Sequence, residues 1–418
     1  MEKYKEAENY LDENAAAYAL QVIRESLRYP GQIESADELK TLMVLMARCF
    51  GEFGDENLQQ TCVALSQDSA NTDALYQLGF ELVSAQYPDL ASAVLSYALR
   101  ESPQDIRILY ELTASLEMQG LYEIALKYLK DSNTEAFLAR YLMAFNTLMT
   151  GDIAESKKIT ATLTADSESS NYKLNRLRNI FARIEAVDGV TPLDNSDYRG
   201  WHFILTGGLL LHFPDPTENS YGQYEYLEDS ESLCKEGIYR LCSIFDVWEM
   251  VIPRILSFDN PESHRLGLAF SYMLGIPEKK VVIPDEAGLL VIYDHSNIIP
   301  EVMDIISKHK SGSQVYCHAS QFTREYKVAP DFTNLMYSSI ISPWDRHIIF
   351  PRRPELPTSP PTESDEQLAK RIVSSDIQKS NLNDLQKLLD LAEAGKSFAA
   401  GSMVEGSTRE KQWYGRRY

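Results

Sequence analysis

Residues 75–103 read LYQLGFELVSAQYPDLASAVLSYALRESP, and this stretch decides the fold of the first half of the chain. Leu75, Leu78 and Leu82 recur at helical spacing, so they lie on one face of a helix. Gly79 has no side chain, which lets a second helix approach closely, and Pro103 ends that second helix. The stretch therefore predicts a helical hairpin with a leucine-lined interior.

The same pattern recurs 34 residues further along the chain. The recurring residues are Leu109, Leu112, Leu116, Gly120, Ala125 and Leu129, which follow Leu75, Leu78, Leu82, Gln86, Ala91 and Leu95. The repeat length and these residue types resemble the tetratricopeptide (TPR) repeat family. The resemblance covers residues 72–135 firmly and residues 1–190 loosely, and it implies stacked helix pairs that usually bind another protein. It does not extend to the C-terminal half.

Charge and composition restrict the class of partner. The chain has 418 residues and a net charge of −21, which argues against nucleic acids or anionic membranes as partners, since these require a basic face and only the last ten residues offer a basic patch. Another protein or peptide is the predicted partner, and the acidic balance suits a basic one. Five cysteines without a CxxC pair, and an N-terminus without an apolar stretch, predict a cytoplasmic protein. No nucleotide fingerprint, metal-ligand spacing or enzyme signature occurs, so the sequence predicts no cofactor and no metal, and favours a non-enzyme over an enzyme.

From about residue 195 to residue 352 the pattern changes to alternating strands and helices. This alternation predicts a Rossmann-like α/β domain with a largely parallel sheet, and an α+β domain with mixed strands is the alternative. The predicted strands are residues 201–213 (interrupted by Gly207-Gly208), 247–256, 281–283, 289–293, 314–318, 335–341 and 348–350. The predicted helices are residues 230–245, 261–274 and 298–309.

The last part of the chain divides by composition into three segments. Residues 353–364 are rich in proline and predict an extended linker. Residues 365–395 contain two short helical patterns, the second of which has a leucine-lined face and ends at Gly395. Residues 396–418 are small and polar and then basic, so we expect a flexible, partly disordered tail.

Polar residues follow two of the predicted strands. Asp294 and His295 come directly after residues 289–293, and His318 and Ser320 end the strand at residues 314–318. Because parallel strands place their carboxyl ends on one edge, Asp294, His295 and His318 are the candidate catalytic residues. The alternative, and the favoured interpretation, is that Asp294 caps the helix that follows.

The loop after Pro343 supplies further candidates for ligand binding. Arg346 carries a charge that suits an anion, Trp344 offers an aromatic face, and Ser320 lies at the neighbouring strand end. The alternative is a solvated loop in which Trp344 is a packing anchor.

Two functions follow from these patterns. The first is an adaptor or assembly scaffold that binds a partner through the helical-repeat groove. The second is a transferase-type enzyme in which the repeats select substrates and the α/β domain holds a ligand at its strand ends. The sequence favours the first, since no motif names a reaction.

Overall fold

The computed structural model describes residues 2–213, 224–322, 326–344, 348–349, 361–399 and 406–410. The chain divides into two compact units, the first containing residues 1–177 and the second beginning at Arg178. The sequence placed this boundary between residues 190 and 195. In the structure this boundary lies earlier, because Arg183 already belongs to the second unit and donates to the carbonyl of Ile204 at 3.0 Å. The sequence did not predict this, since a helical pattern does not show which unit a helix packs into.

The first unit is a run of helices, the last of which continues past Leu177 into the second unit. They are α1 (Lys5–Asp12), α2 (Ala16–Leu27), α3 (Ala36–Phe53), α4 (Glu56–Gln67), α5 (Thr72–Ser84), α6 (Pro88–Glu101), α7 (Ile106–Met118), α8 (Tyr122–Asp131), α9 (Phe137–Met149), α10 (Ile153–Ala161) and α11 (Glu168–Ala186). Helices α5 and α7 begin 34 residues apart, as do α6 and α8, which is the spacing of the sequence repeat. Side chains of Asn71 and Asp105 accept backbone N–H groups at the starts of α5 and α7, and so fix where these helices begin.

The hairpin formed by α5 and α6 depends on Gly79. Leu75, Leu78 and Leu82 are fully buried between these helices and their neighbours. A methyl group added at Gly79 would collide with the side chain of Leu95 on α6. The close helix approach that the sequence predicted at Gly79 is therefore present.

The second unit combines helices with one eight-stranded sheet. Its helices are α12 (Tyr198–Thr206), α13 (Glu231–Trp248), α14 (Pro261–Leu274), α15 (Pro300–Ile306), α16 (Asp365–Ser374) and α17 (Leu385–Gly395). Its strands are β1 (Leu209–Leu210), β2 (Tyr224–Glu228), β3 (Ile255–Phe258), β4 (Glu278–Val281), β5 (Gly288–Asp294), β6 (Ser313–Gln321), β7 (Phe332–Ile341) and β8 (Ile348–Ile349). The strand order is β1-β7-β6-β5-β3-β4, with β2 also on β7, and all these pairs are parallel. Only β8, among the described strands, runs antiparallel. The predicted order of a helical array followed by an α/β unit is confirmed.

The apolar run at residues 201–213 was predicted wrongly as a strand region. Its first part, residues 201–206, lies in α12, whose N-terminus is capped by Asp197 through the backbone N–H of Gly200 at 2.9 Å. Gly207, with φ of 79°, ends the helix, and only then does β1 begin. Because α12 is buried along nearly its whole length, and its residues 201–206 are mostly apolar, this part of the sequence resembles a buried strand.

Helix α17 is held on the second unit by ion pairs with two buried arginines. Asp384, directly before the helix, accepts from Arg199 of α12 and from Arg240 of α13, the latter at 2.7 Å. Arg240 also donates to Glu236 at 2.8 Å, and both side chains are fully buried. Trp248 donates to the carbonyl of Ala392 at 3.1 Å. Residues 365–395 are therefore part of the α/β unit rather than a separate helical segment.

The described part of the predicted flexible tail is packed, so that prediction was wrong for residues 406–410. Arg409 is buried and donates to both carboxylate oxygens of Asp331, at 3.1 and 3.0 Å. It also donates to the carbonyls of Ile306 and Lys308 at 2.7 and 2.8 Å. The small, polar composition of the tail did not predict this packing, because the hydrogen bonds above come from a single arginine side chain. Of the predicted linker, residues 353–360 lie outside the described residues.

Candidate functional site

A cluster of buried polar side chains lies between α13 and the sheet. Asp229 follows the end of β2, and Ser230 caps α13 by accepting from the backbone N–H of Leu233 at 3.2 Å. This cap sets the start of the helix and places Cys234 in its first turns. Strand β6 supplies His318, and β5 supplies Tyr293.

Close packing of helix on sheet depends on Gly237 of α13. A methyl group at this position would collide with the hydroxyl of Tyr316 and the amide of Asn334, both of which rise from the sheet. The absence of a side chain at Gly237 therefore allows the first turns of α13 to approach the sheet near His318.

The carboxylate of Asp229 is the centre of the cluster. Its Oδ2 atom lies 2.9 Å from Nε2 of His318, 2.7 Å from the hydroxyl of Tyr293 and 3.7 Å from Sγ of Cys234. Sγ of Cys234 lies 3.6 Å from the same Nε2 atom. Relative exposure is 4 % for Asp229 and 0 % for both Cys234 and His318. A carboxylate oxygen, a thiol sulfur and an imidazole nitrogen thus lie close together in the buried interior. We call Asp229, Cys234 and His318 the Asp-Cys-His cluster.

The arrangement is not that of a nucleophilic triad. In a triad the histidine uses one ring nitrogen for the nucleophile and the other for the carboxylate. Here Cys234 and Asp229 approach the same nitrogen of His318. The other nitrogen, Nδ1, lies 3.3 Å from the hydroxyl of Tyr316 and 3.4 Å from Nδ2 of Asn334.

Burial keeps the thiol and the phenol of the cluster protonated. Burial, and next the negative charge of Asp229, raises the pKa of Cys234 well above its usual value. The same two causes raise the pKa of Tyr293. Cys234 is therefore a neutral thiol as it stands, and a thiolate would form only if a cation replaced its proton.

A group of aromatic side chains lies beside the Asp-Cys-His cluster. The ring of Tyr293 lies 5.3 Å from that of His318 and 5.2 Å from that of Trp344. The guanidinium of Arg265 lies over Trp344 at 5.5 Å. Trp344, a predicted ligand-binding residue, thus packs against Tyr293. Arg346 lies outside the described residues.

The three predicted catalytic residues do not form one group. Asp294 accepts from the backbone N–H of Ser296 at 2.7 Å and from the hydroxyl of Tyr337. It caps the short 3₁₀ helix His295–Asn297 and not α15, whose N-cap residue is Ile299, so the capping interpretation holds for the 3₁₀ helix only. His318 contacts Asp229 instead, on the face of the sheet where its ring stacks on Tyr293. Asp294 follows Tyr293 directly in β5, so its side chain points to the opposite face of the sheet.

His295 has separate surroundings again. Its Nδ1 lies 3.0 Å from Oγ of Ser320, and its ring stacks on Tyr326 with centroids 3.8 Å apart. Ser320, a predicted ligand residue, is therefore brought together with His295. In the described hydrogen bonds Asp294, His295 and His318 thus have different partners, and a shared cleft or a catalytic role for them stays a prediction.

Sequence reasoning missed two members of the Asp-Cys-His cluster. Neither Cys234 nor Asp229 was selected from the sequence as a candidate. Cys234 and Asp229 are 84 and 89 positions from His318, so no local spacing marks them. The one available signal was the position of Asp229 between a strand and a helix N-cap, where polar groups of α/β sheets gather.

Comparison with known proteins adds little to this geometry. No protein-family model matches the sequence, and a search of curated proteins finds no match. Among solved structures, "MamA AMB-1 P212121" and a chain titled as a MamA point mutant are each 15 % identical, covering 42 % of this chain and 90 % of theirs. A second MamA mutant chain is 16 % identical and is covered to 95 %. The TM-score is 0.24 in each case, which carries no argument about fold or function.

The described helices were also compared with the requirements of a bilayer. Crossing it takes about 20 consecutive, mostly apolar residues. No helix within the described ranges is both long enough and apolar enough.

Proposed function

We propose that this protein is an adaptor or scaffold whose helical array is TPR-like and holds a segment of a partner protein. In this proposal the second unit is a Rossmann-like module that adds a further binding or structural surface. The support is the regular succession of helical hairpins, in which α5, α6 and α7, α8 repeat at 34 residues. Stacked hairpins present equivalent positions of successive helices side by side, which suits recognition of an extended segment.

One observation supports this function more than any other. Val44 of α3 and Phe80 of α5 each occupy the ninth residue of the first helix of a hairpin, and they are 49 % and 45 % exposed. Single exposed apolar residues need no explanation, but here the exposure recurs at an equivalent position in successive hairpins. An aromatic side chain in such a row is the kind of residue that anchors a partner.

The net charge of the helical array indicates the chemistry of the proposed partner. Residues 1–177 contain 27 acidic and 15 basic side chains. An acidic surface accelerates association with a basic segment and disfavours acidic ones. We therefore propose a partner segment that carries an apolar side chain flanked by lysine or arginine. We also propose a cytoplasmic location, in keeping with five cysteines that all remain thiols.

The test compares two faces of the array. Phe80→Asp and Val44→Asp alter the proposed binding row, whereas Val63→Asp, on α4 and 42 % exposed, is the matched control. All three sites are exposed, so the fold should persist, as circular dichroism would check. Quantitative affinity capture should show the same partner lost from both row variants and retained by the control. Equal capture by all variants, or equal loss from all, would contradict the proposal.

The transferase alternative receives no specific support. His295 and His318 contact different partners, so the described geometry provides no shared acid–base pair at the strand ends. The pair that does exist, Asp229 with His318, is buried away from solvent.

A further inference from the structure

We propose that Asp229, Cys234 and His318 form a binding site for a zinc-class transition-metal ion in the second unit. The proposal is independent of the adaptor function, since it concerns the interior of the α/β unit. A carboxylate oxygen, a sulfur and an imidazole nitrogen are the three donor types that zinc accepts in proteins. All three side chains are buried, and their donor atoms lie within 4.8 Å of one another.

The spacing of the donor atoms fits a shared ion. The three atoms form a triangle with sides of 2.9, 3.6 and 3.7 Å. A point at the centre of that triangle is about 2 Å from each corner, which is the range of zinc–nitrogen and zinc–oxygen bonds. A small displacement of the ion out of the plane lengthens its distance to sulfur towards the zinc–sulfur value. The ligands thus need little rearrangement, mainly the opening of the contact between His318 and Asp229.

A second observation concerns the far side of the imidazole. A zinc-bound histidine carries its proton on the other ring nitrogen and donates it to a neighbouring acceptor. Nδ1 of His318 faces the Tyr316 hydroxyl and the amide of Asn334. Oδ1 of Asn334 is fully buried and, within the described part of the chain, has no hydrogen-bond partner. Turning that amide over would place this acceptor opposite Nδ1, since the two amide positions are interchangeable.

Proton and charge balance are simple. On binding, the thiol proton of Cys234 leaves to solvent, and His318 keeps one proton on Nδ1. The two negative charges of Asp229 and the thiolate then neutralise a divalent cation, so no net charge stays buried. The hydroxyl of Tyr293, 2.7 Å from Asp229 Oδ2, is a further oxygen beside the ion. The ion would tie the end of β2, the first turns of α13 and β6 together.

The test uses the full chain, stripped with a chelator and then given zinc or cobalt alone. We expect one equivalent of zinc to survive dialysis and to raise the melting temperature. Cobalt should give the sulfur-to-cobalt charge-transfer band and the strong visible bands of tetrahedral coordination. Asp229→Asn, which keeps the shape of the side chain, and Cys234→Ala should weaken binding roughly tenfold or more.

Two cysteines provide matched controls. Cys242→Ala alters α13, the helix that also carries Cys234. Cys317→Ala alters the residue directly before His318 in β6, and the side chain of Cys317 points to the opposite face of the sheet from that of His318. Both should retain the metal and the charge-transfer band. If Cys234→Ala does not fold, the wild-type spectrum together with Asp229→Asn still decides. A wild-type chain without the cobalt–sulfur band, or one that retains no more zinc than Asp229→Asn, would show a hydrogen-bonded cluster only and would overturn the proposal.

Discussion

The two units of this protein bury different kinds of side chain. Among the described residues up to Leu177, only Asp89 and Glu117 are buried charged residues, and the remaining interior is uncharged. The α/β unit buries arginines in ion pairs, such as Arg240 with Asp384 and Arg409 with Asp331. The array is therefore stabilised mainly by shape and apolar area. The α/β unit depends in addition on pairing buried charges between residues distant in the sequence.

The largest effect that this comparison predicts comes from removing one carboxylate. Asp384→Ala would leave Arg199 and Arg240 buried without their shared partner. Breaking a buried ion pair from one side costs about 3–5 kcal/mol. All four tryptophans lie at or beyond residue 201, so tryptophan fluorescence during urea unfolding reports on the α/β unit.

The matched control for this prediction is Asp390→Ala on α17. Asp390 is exposed and accepts only from Gln386 four residues earlier, at 2.8 Å, in the contacts described. We expect a change within about 0.5 kcal/mol for the control. Similar destabilisation by both variants would mean that α17 itself, and not the buried pairing, is what matters.

The second prediction concerns pH and is smaller. His202 is buried, and burial lowers its pKa from 6.5 to about 4. Between these values the unfolded chain binds a proton that the folded chain does not, so folding is most favourable above pH 6.5 and loses stability as pH falls towards 4. At pH 5 the loss from this residue is about 2 kcal/mol, at about 1.36 kcal/mol per pH unit.

The measurement is urea unfolding by tryptophan fluorescence at pH 7.5 and at pH 5. His202→Leu, close in volume and unable to titrate, should lose about 2 kcal/mol less than the wild type over this interval. His309 shares the lowered pKa of about 4, through burial and next the charge of Arg409, so some pH dependence should persist in the variant. An identical pH dependence in both chains would show that His202 is not protected from protonation.

The same contrast explains how much of the fold was predictable. Repeats and caps act within a few residues, so the hairpin at Leu75 to Pro103 and the helix at residues 261–274 were predicted from the sequence. Strand β5 was recognised from a continuous apolar run. Buried pairs such as Arg409 with Asp331 join residues 78 positions apart, and nothing in the local pattern marks them. For that reason the tail was predicted wrongly to be flexible at residues 406–410.

The candidate site shows the same division. Asp294 was recognised because capping is a local property. His318 was selected for its place at a strand end, but its partners Asp229 and Cys234 come from another strand end and from a helix. Which residues meet across the sheet depends on strand order and register, and a single sequence carries no direct signal for either. His318 was thus selected from the sequence, but Asp229 and Cys234, which lie beside it, were not.

The smallest predicted change in stability concerns the helical array, where close packing of the helices determines the result. Gly79→Ala should gain about 1 kcal/mol of helix propensity, but its new methyl group meets buried Leu95, and overpacking costs about 1–3 kcal/mol. We therefore expect a net loss of about 1 kcal/mol, seen in helical circular dichroism while tryptophan fluorescence of the other unit stays unchanged. Gly51→Ala on α3 is the control, since its methyl group meets the flexible end of Gln59, which can move aside. That variant should be neutral or more stable. Opposite signs at these two glycines would confirm that close helix packing at Gly79 stabilises the array, and a gain at both would contradict it.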